Sequence, residues 1–419
     1  MGNRSTQGTA ETIPIARQPI FDLEGQLYGY ELLYRGGRNG QDLDSGDAVT
    51  ARVIAGALAG IGLDTLAAGR PAFINVPRGL LLDDALRALP PRKVILEILE
   101  DIEADTETLN RVRDLAADGY RFAVDDCIDL RAGGFLELAE IVKVDVLNMS
   151  MDDLRHQLQH WRRPGVLMLA EKVETHEQHA ELYAMGFDLF QGYYFARPQV
   201  TDTASIAPNR LAVMQLLARM NEPDAVIANL ADSIRTDVAL SLGVLRWANS
   251  AASGVKTRVD SIDRAIVVLG LEQVRNLVSL LALARLGTFP AELMTMLLLR
   301  ARLCELLAKA ARRRNVAAYF TVGLLSGLDA VMGRSLAEVL SQLPLAVEVR
   351  QAIEHREGDL GAALAAVETI EASEFERYRY DDVTLEQASL LYLEAVQWTS
   401  AINVIVPPAG SRRSRPAAA

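Results

Sequence analysis

Between residues 13 and 200 short apolar or alternating runs recur along the chain: QLYGYELLY, PAFINV, KVILEIL, YRFAVDD, EIVKVDVL, GVLMLAE and FDLFQGYYF. Runs of this kind, rich in aliphatic, β-branched and aromatic residues, read as strands. The stretches between them, such as Ala48 to Leu63 and Thr106 to Asp118, space their apolar residues by three and four and read as helices. Strands alternating with helices build a mainly parallel sheet. With seven or so such units in under 200 residues, the expected architecture is an α/β fold, a compact (β/α) TIM-like barrel. An open doubly wound sheet is the alternative.

The pattern changes after Arg197. The segment RPQVTDTASIAPN is rich in Pro, Thr, Ser and Asp, the composition of a connection. Beyond it strand signals fade and helical periodicity takes over in RLAVMQLLARM, VALSLGVLRWANSA, SIDRAIVVLGLEQVRNLVSLLAL and a long predicted helix from Ala291 to Arg314. On that helix Met296, Leu299, Leu303 and Leu306 share one face, which should be core. The expected organisation is a disordered N-terminus (1–12), the barrel (13–200), a linker (201–209), an all-α helical domain (210–405) and a disordered tail (406–419).

Composition narrows the classes of function. Half of the 419 residues are apolar, enough for a large core and more than one domain. A formal charge of −12 argues against binding a nucleic acid polymer or an anionic membrane, since a phosphate-covered surface selects for basic excess. Cys127 and Cys304 lie far apart, so neither a disulfide framework nor a thiolate zinc site is indicated. The N-terminus is polar and the densest apolar stretches are broken well before a membrane span, which predicts a soluble cytoplasmic protein.

The candidate chemistry lies at the ends of strands. Glu31, Asn75, Glu97, Asp125, Asp126, Lys143, Glu171 and Gln191 each sit within or just after an apolar run. A single acid at a strand end is commonly a helix N-cap or a surface residue. The ordered set on successive strands points instead to one site at the C-terminal mouth of a barrel. Clustered carboxylates repel unless cations neutralise them, and oxygen ligands suit Mg²⁺ or Mn²⁺. The adjacent Asp125 and Asp126 could serve two ions.

These runs resemble the ordered motifs of the EAL cyclic di-GMP phosphodiesterases over nearly all of residues 13–200. YELLYR resembles the motif that names the family, with Leu32 where Ala is usual. FINVP, EILE, VDD, VKVD, AEKVET and FQGYYFARP resemble the motifs that follow, with Lys172 in place of a customary glycine. The resemblance implies metal ligation by Glu31, Asn75, Glu97, Asp125 and Asp126. It implies that Glu171 helps hold the second metal or activates water, that Lys143 orients water or phosphate, that Gln191 completes the shell, and that Glu174 is a supporting carboxylate. Gln18, Leu33, Arg35 and Pro198 match positions where family members contact the dinucleotide. The implied chemistry is metal-assisted, in-line hydrolysis of cyclic di-GMP to linear pGpG, and relatives of the barrel commonly form homodimers.

One stretch departs from the family. Its glycine-rich loop after Asp-Asp is replaced by Cys127-Ile128-Asp129-Leu130-Arg131-Ala132, while Glu100, matching the glutamate that steadies that loop, is kept. This bears on turnover more than on metal or nucleotide binding, and the retained ligand set pulls the other way; the alternative is a barrel that serves as a catalytically impaired nucleotide sensor or an interaction scaffold. The helical half resembles HDOD domains, relatives of the HD phosphohydrolases. In GLLSGLDA, Ser326 and Gly327 stand where those hydrolases carry His and Asp, and His355 is the only histidine of that half. The resemblance therefore implies a regulatory or partner-docking role there, without catalytic metal.

Overall fold

The computed structural model describes residues 14–34, 62–125, 134–147, 149–196, 290–343 and 345–405, with shorter stretches between 234 and 281. Strands β1 (Ile15–Phe21) and β2 (Leu27–Tyr34) form an antiparallel pair. They are followed by β3 (Ala72–Val76), β4 (Val94–Ile98), β5 (Arg121–Val124), β6 (Ile141–Asp145), β7 (Leu167–Glu171) and β8 (Leu189–Gln191), each parallel to its predecessor. β8 closes on β1 in antiparallel register, giving a closed eight-stranded barrel. The open-sheet alternative is excluded.

The strand that pattern reading omitted is β1. Its sequence, IARQPIF, puts Arg17, Gln18 and Pro19 between the apolar ends. β8 pairs with β1 only at Ile20 and Phe21. At Pro19 the strand therefore behaves as an edge, where a residue lacking N–H is tolerated.

Helices α1 (Leu63–Leu66), α2 (Arg78–Leu82), α3 (Thr106–Ala117), α4 (Met151–Trp161) and α5 (His176–Met185) belong to the barrel. The longer ones start where side chains satisfy the first free N–H groups: Asp105 accepts from Thr108, Ser150 from Asp153 and Thr175 from Gln178. Thr175, the last residue of the AEKVET motif, thus has a structural task. The helix expected over Ala48 to Leu63 falls mostly outside the described residues, as do the two terminal segments and the linker.

The second half is helical: α6 (Val238–Ala248), α7 (Ile262–Leu269), α8 (Ala291–Ala310), α9 (Val316–Leu325), α10 (Leu328–Met332), α11 (Leu336–Ser341), α12 (Val347–His355), α13 (Gly358–Glu371) and α14 (Leu385–Ile405). α8 packs against α9, α13 and α14. Leu299, Leu303 and Leu306 are buried as expected, but so are Leu293, Leu297, Leu298 and Cys304 on other faces. A helix covered on most sides is a central helix rather than an amphipathic surface one. It ends at Ala310, earlier than its apolar pattern suggests, because Arg312 adopts a left-handed backbone, φ +54°.

The two halves meet along β1. Helices α13 and α14 contact β1, and α14 also contacts α1. The Arg17 backbone N–H donates to the Tyr392 hydroxyl at 3.1 Å, and its guanidinium donates to the Leu66 carbonyl at 2.6 Å while lying 4.3 Å over the Tyr30 ring. No helix among the described residues is long and apolar enough to cross a membrane.

Candidate active site at the barrel mouth

Strand periodicity explains the site. Ile20, Phe73, Ile95, Ala123, Ile141, Leu169 and Leu189 fill the barrel as one apolar layer. Side chains two residues apart on a strand share a face. Two residues beyond the last six of these stand Asn75, Glu97, Asp125, Lys143, Glu171 and Gln191, the layer nearer the C-terminal mouth. Glu31 joins them from β2, two residues past Gly29, where a Cβ would lie 2.7 Å from the Pro71 carbonyl oxygen and 3.0 Å from the Phe73 ring. A bulky ring in the floor and a glycine beside it are one packing decision.

Lys143 occupies the middle. Its ammonium lies 2.8 Å from Glu171, 3.0 Å from Glu97, 3.6 Å from Glu31 and 3.7 Å from Asp125. Asn75 Nδ2 donates to Glu31 Oε1 at 3.2 Å, and Gln191 Nε2 donates to Glu31 Oε2 at 2.6 Å and to Gln18 Oε1 at 3.0 Å. Tyr34 adds a hydroxyl that donates to the Asn75 carbonyl. Every member of the layer is buried.

Burial and charge act against each other here. Burial pushes the Glu97 carboxyl well above the usual carboxylate range, with Lys143 pulling it back. Burial also pushes Glu171 up to about 8, again opposed by Lys143. For Lys143 itself burial favours the neutral form, but Asp125, Glu171, Glu31 and Glu97 together outweigh it and hold the ammonium charged.

The oxygen atoms of this layer are not all satisfied. Asn75 Oδ1, Glu97 Oε1, Asp125 Oδ1 and Gln191 Oε1 are buried and accept no hydrogen bond from the described residues, and Glu171 Oε1 faces only the Lys143 ammonium. Leaving buried acceptors unpaired costs about 1–3 kcal/mol each, so a concentration of them in one layer is a donor set waiting for a partner. All are hard oxygen donors, which fits Mg²⁺ or Mn²⁺. Around Lys143 the acids stand apart, and no three of them yet form a closed cation cage among the described residues.

Gln18 pairs across the barrel wall with Glu31, and Leu33 lies two residues past Glu31 on the same strand face. Glu174 lines the rim of the cleft that opens from Glu171 and Gln191. Glu100 is exposed just beyond β4. Asp126, Arg35 and Pro198 lie outside the described residues, as does the rewritten loop from Cys127. The same cleft, with a volume of about 320 Å³, has a second wall from the helical half: Met296, Leu299, Glu371, Ala372 and Glu374. Strand-end reasoning had no means of finding that wall, which exists only because α13 and α14 pack on β1 and α8 packs on both of them.

In the helical half the stretch GLLSGLDA is closed by protein atoms. The Arg300 guanidinium donates to Ser326 Oγ at 2.9 Å and to both oxygens of Glu371, at 3.1 and 2.6 Å. A Cβ on Gly327 would lie 2.6 Å from Leu297. His355 is on the surface, 3.9 Å from Glu354.

Comparison with known proteins agrees with this two-part architecture. The HDOD domain model matches residues 208–365. An uncharacterized protein of Bacillus subtilis, YuxH, is 31% identical over 397 residues, covering 92% of this chain and 97% of its own. The cyclic di-GMP phosphodiesterase CdgJ of Vibrio cholerae is 30% identical over 417 residues, covering 96% and 95%. Among solved structures, a standalone EAL protein from Vibrio cholerae in its c-di-GMP bound form aligns over 44% of this chain and 91% of its own, with 24% identity and a TM-score of 0.35. Similarity to YuxH and CdgJ along nearly the whole chain, with an EAL-type barrel first and an HDOD domain second, places this protein in the EAL-HDOD family of two-domain signalling proteins.

Proposed function

We propose that this chain binds cyclic di-GMP at the barrel mouth with a divalent cation and hydrolyses one phosphodiester to give pGpG. The observation that carries the reading is the layer of buried oxygens gathered around Lys143, four of which accept no hydrogen bond from the described residues. A likeness to CdgJ over 95% of that protein's length supports the same substrate. In this reading Glu31, Asn75, Glu97, Asp125 and Asp126 hold Mg²⁺ or Mn²⁺, which supplies Lewis-acid stabilisation of charge on the phosphate. Lys143 orients the scissile phosphate or the water, Glu171 accepts the water's proton, and Glu174 supports it from the rim. Gln18, Leu33, Arg35, Gln191 and Pro198 seat the dinucleotide.

The barrel spans residues 13–200 and the helical domain 210–405 in this proposal. The helical domain regulates the barrel or docks a protein partner in the cytoplasm. A saturated cluster at Arg300, Glu371 and Ser326 supports a role without catalytic metal. The sequence of the loop after Asp126 favours a second reading, a sensor that binds the nucleotide and turns it over slowly. Calorimetric titration with cyclic di-GMP, with and without Mg²⁺ or Mn²⁺, followed by product analysis, separates the two. Binding with pGpG supports the hydrolase, binding without pGpG the sensor, and no binding removes both.

A further inference from the structure

Lys172 follows Glu171 at the end of β7 and has a backbone φ of +58°, the left-handed region that a long side chain rarely adopts. Such strain persists only where the surroundings over-determine it. Here they do. The next residue, Val173, donates its N–H to the Gln191 carbonyl at 2.9 Å and accepts from the Tyr194 N–H at 3.2 Å. Gly192 sits so close beneath that a Cβ there would lie 2.1 Å from the Val173 oxygen. The turn is therefore clamped onto β8 whatever side chain position 172 carries. Glycine would fill it without strain, and this chain places a cation there.

The cation has a particular outlook. Its ammonium pairs with Asp145, a buried carboxylate at the end of β6 whose Oδ1 accepts the Leu147 N–H at 2.9 Å. The Lys172 side chain remains 42% exposed and lines the cleft with Glu171, Gln18 and Gln191. Carboxyl groups dominate its polar lining: Glu171, Glu174, Glu292, Glu371 and Glu374 all face it, with Glu171 paired to Lys143 and Glu371 to Arg300. Among the described lining residues only Arg17 and Lys172 are basic, and Arg17 is buried on Tyr30 and the Leu66 carbonyl. A ligand carrying two phosphodiester charges meets carboxylates on both walls, and the accessible positive charge is at Lys172.

We propose that Lys172 is a phosphate-positioning residue of the cleft, held on Asp145 until a cyclic dinucleotide's phosphodiester arrives to share its ammonium. This rests on the cyclic di-GMP reading above. Three full-length proteins test it: wild type, Lys172→Gly and Lys172→Arg, each titrated with cyclic di-GMP at low and high salt and each melted thermally. The expected result is that Lys172→Gly binds about tenfold more weakly and loses much of the salt dependence. Lys172→Arg should stay within about twofold of wild type, because it keeps the charge. Thermal midpoints should remain close together, since glycine relieves the backbone as the ion pair is lost. If wild type binds cyclic di-GMP and Lys172→Gly binds as tightly with the same salt slope, the assignment falls while the cyclic di-GMP reading stands. Equal weakening in the Gly and Arg variants with a shared loss of thermal stability makes Lys172 a structural partner of Asp145 and also overturns it. A wild type that takes up no cyclic di-GMP removes both.

Discussion

In the barrel mouth one lysine stands among Glu31, Glu97, Asp125 and Glu171, and four buried oxygens of that layer accept no hydrogen bond from the described residues. In the helical half one arginine meets Glu371 through both carboxylate oxygens and Ser326 through a third bond. Both are cations buried with acids. The first cluster has more negative charge than its cation can neutralise and more acceptors than its donors can serve; the second closes on itself. A closed cluster costs desolvation and returns specificity of packing, whereas an open one keeps its electrostatic deficit for a ligand. The contrast separates a site from a strut without reference to conservation.

The largest expected effect tests that distinction through stability. Arg300→Met leaves Glu371 buried and unpaired and should cost about 3–5 kcal/mol; adding Glu371→Leu should return most of it, and divalent cations should return none. Lys143→Met should destabilise the protein comparably in metal-free buffer, and Mn²⁺ should restore much of the loss by taking over the neutralisation. Denaturant unfolding of the four proteins with and without Mn²⁺ reads this directly. Mn²⁺ rescue of Arg300→Met, or failure to rescue Lys143→Met, would break the comparison.

A smaller effect concerns ligand uptake. Glu31 is held by Asn75 and Gln191 at the edge where Gln18 begins the cleft. Glu31→Ala should lower metal-dependent affinity for cyclic di-GMP, or its turnover, by about a hundredfold or more. An unchanged titration curve would mean the open cluster is not the nucleotide's anchor.

Much of this was legible in the sequence, for a specific reason. Barrel strands alternate with period two, so Ile95 and Glu97, Ile141 and Lys143, or Leu169 and Glu171 had to share a face if their strands entered one barrel. The apolar floor and polar mouth followed from the letters. β1 was hidden because Arg17 and Gln18 face different partners and Pro19 breaks the strand signal. The helical wall of the cleft was hidden because nothing local to Met296, Leu299 or Glu371 announces a neighbour in a distant part of the chain; their apolar and acidic letters read equally well as helix core and helix end. Lys172 was visible as a departure from a glycine motif, but its backbone conformation and its reach to Asp145 were not.

A third buried acid offers the finest test, because it lies between the two extremes. Glu292 opens α8 at the seam, against Arg17 and a hydrogen bond with Tyr30, and burial raises its carboxyl to about 7 despite that cation. An unfolded glutamate titrates at about 4.3. The folded state therefore binds this proton more tightly than the unfolded state does. Stability from the protonated group is complete below the unfolded value and is lost as pH rises through the folded one. Glu292→Gln keeps an acceptor for Tyr30 and has no proton to lose. Its stabilisation relative to wild type should be greater at pH 8 than at pH 5 by about 2 kcal/mol, measured as the difference between two denaturant series. Referring each pH to the wild type cancels the titration of every other group. A difference that stays flat across the window would mean that Arg17 and Tyr30 offset the burial of Glu292, and that the seam belongs with the strut.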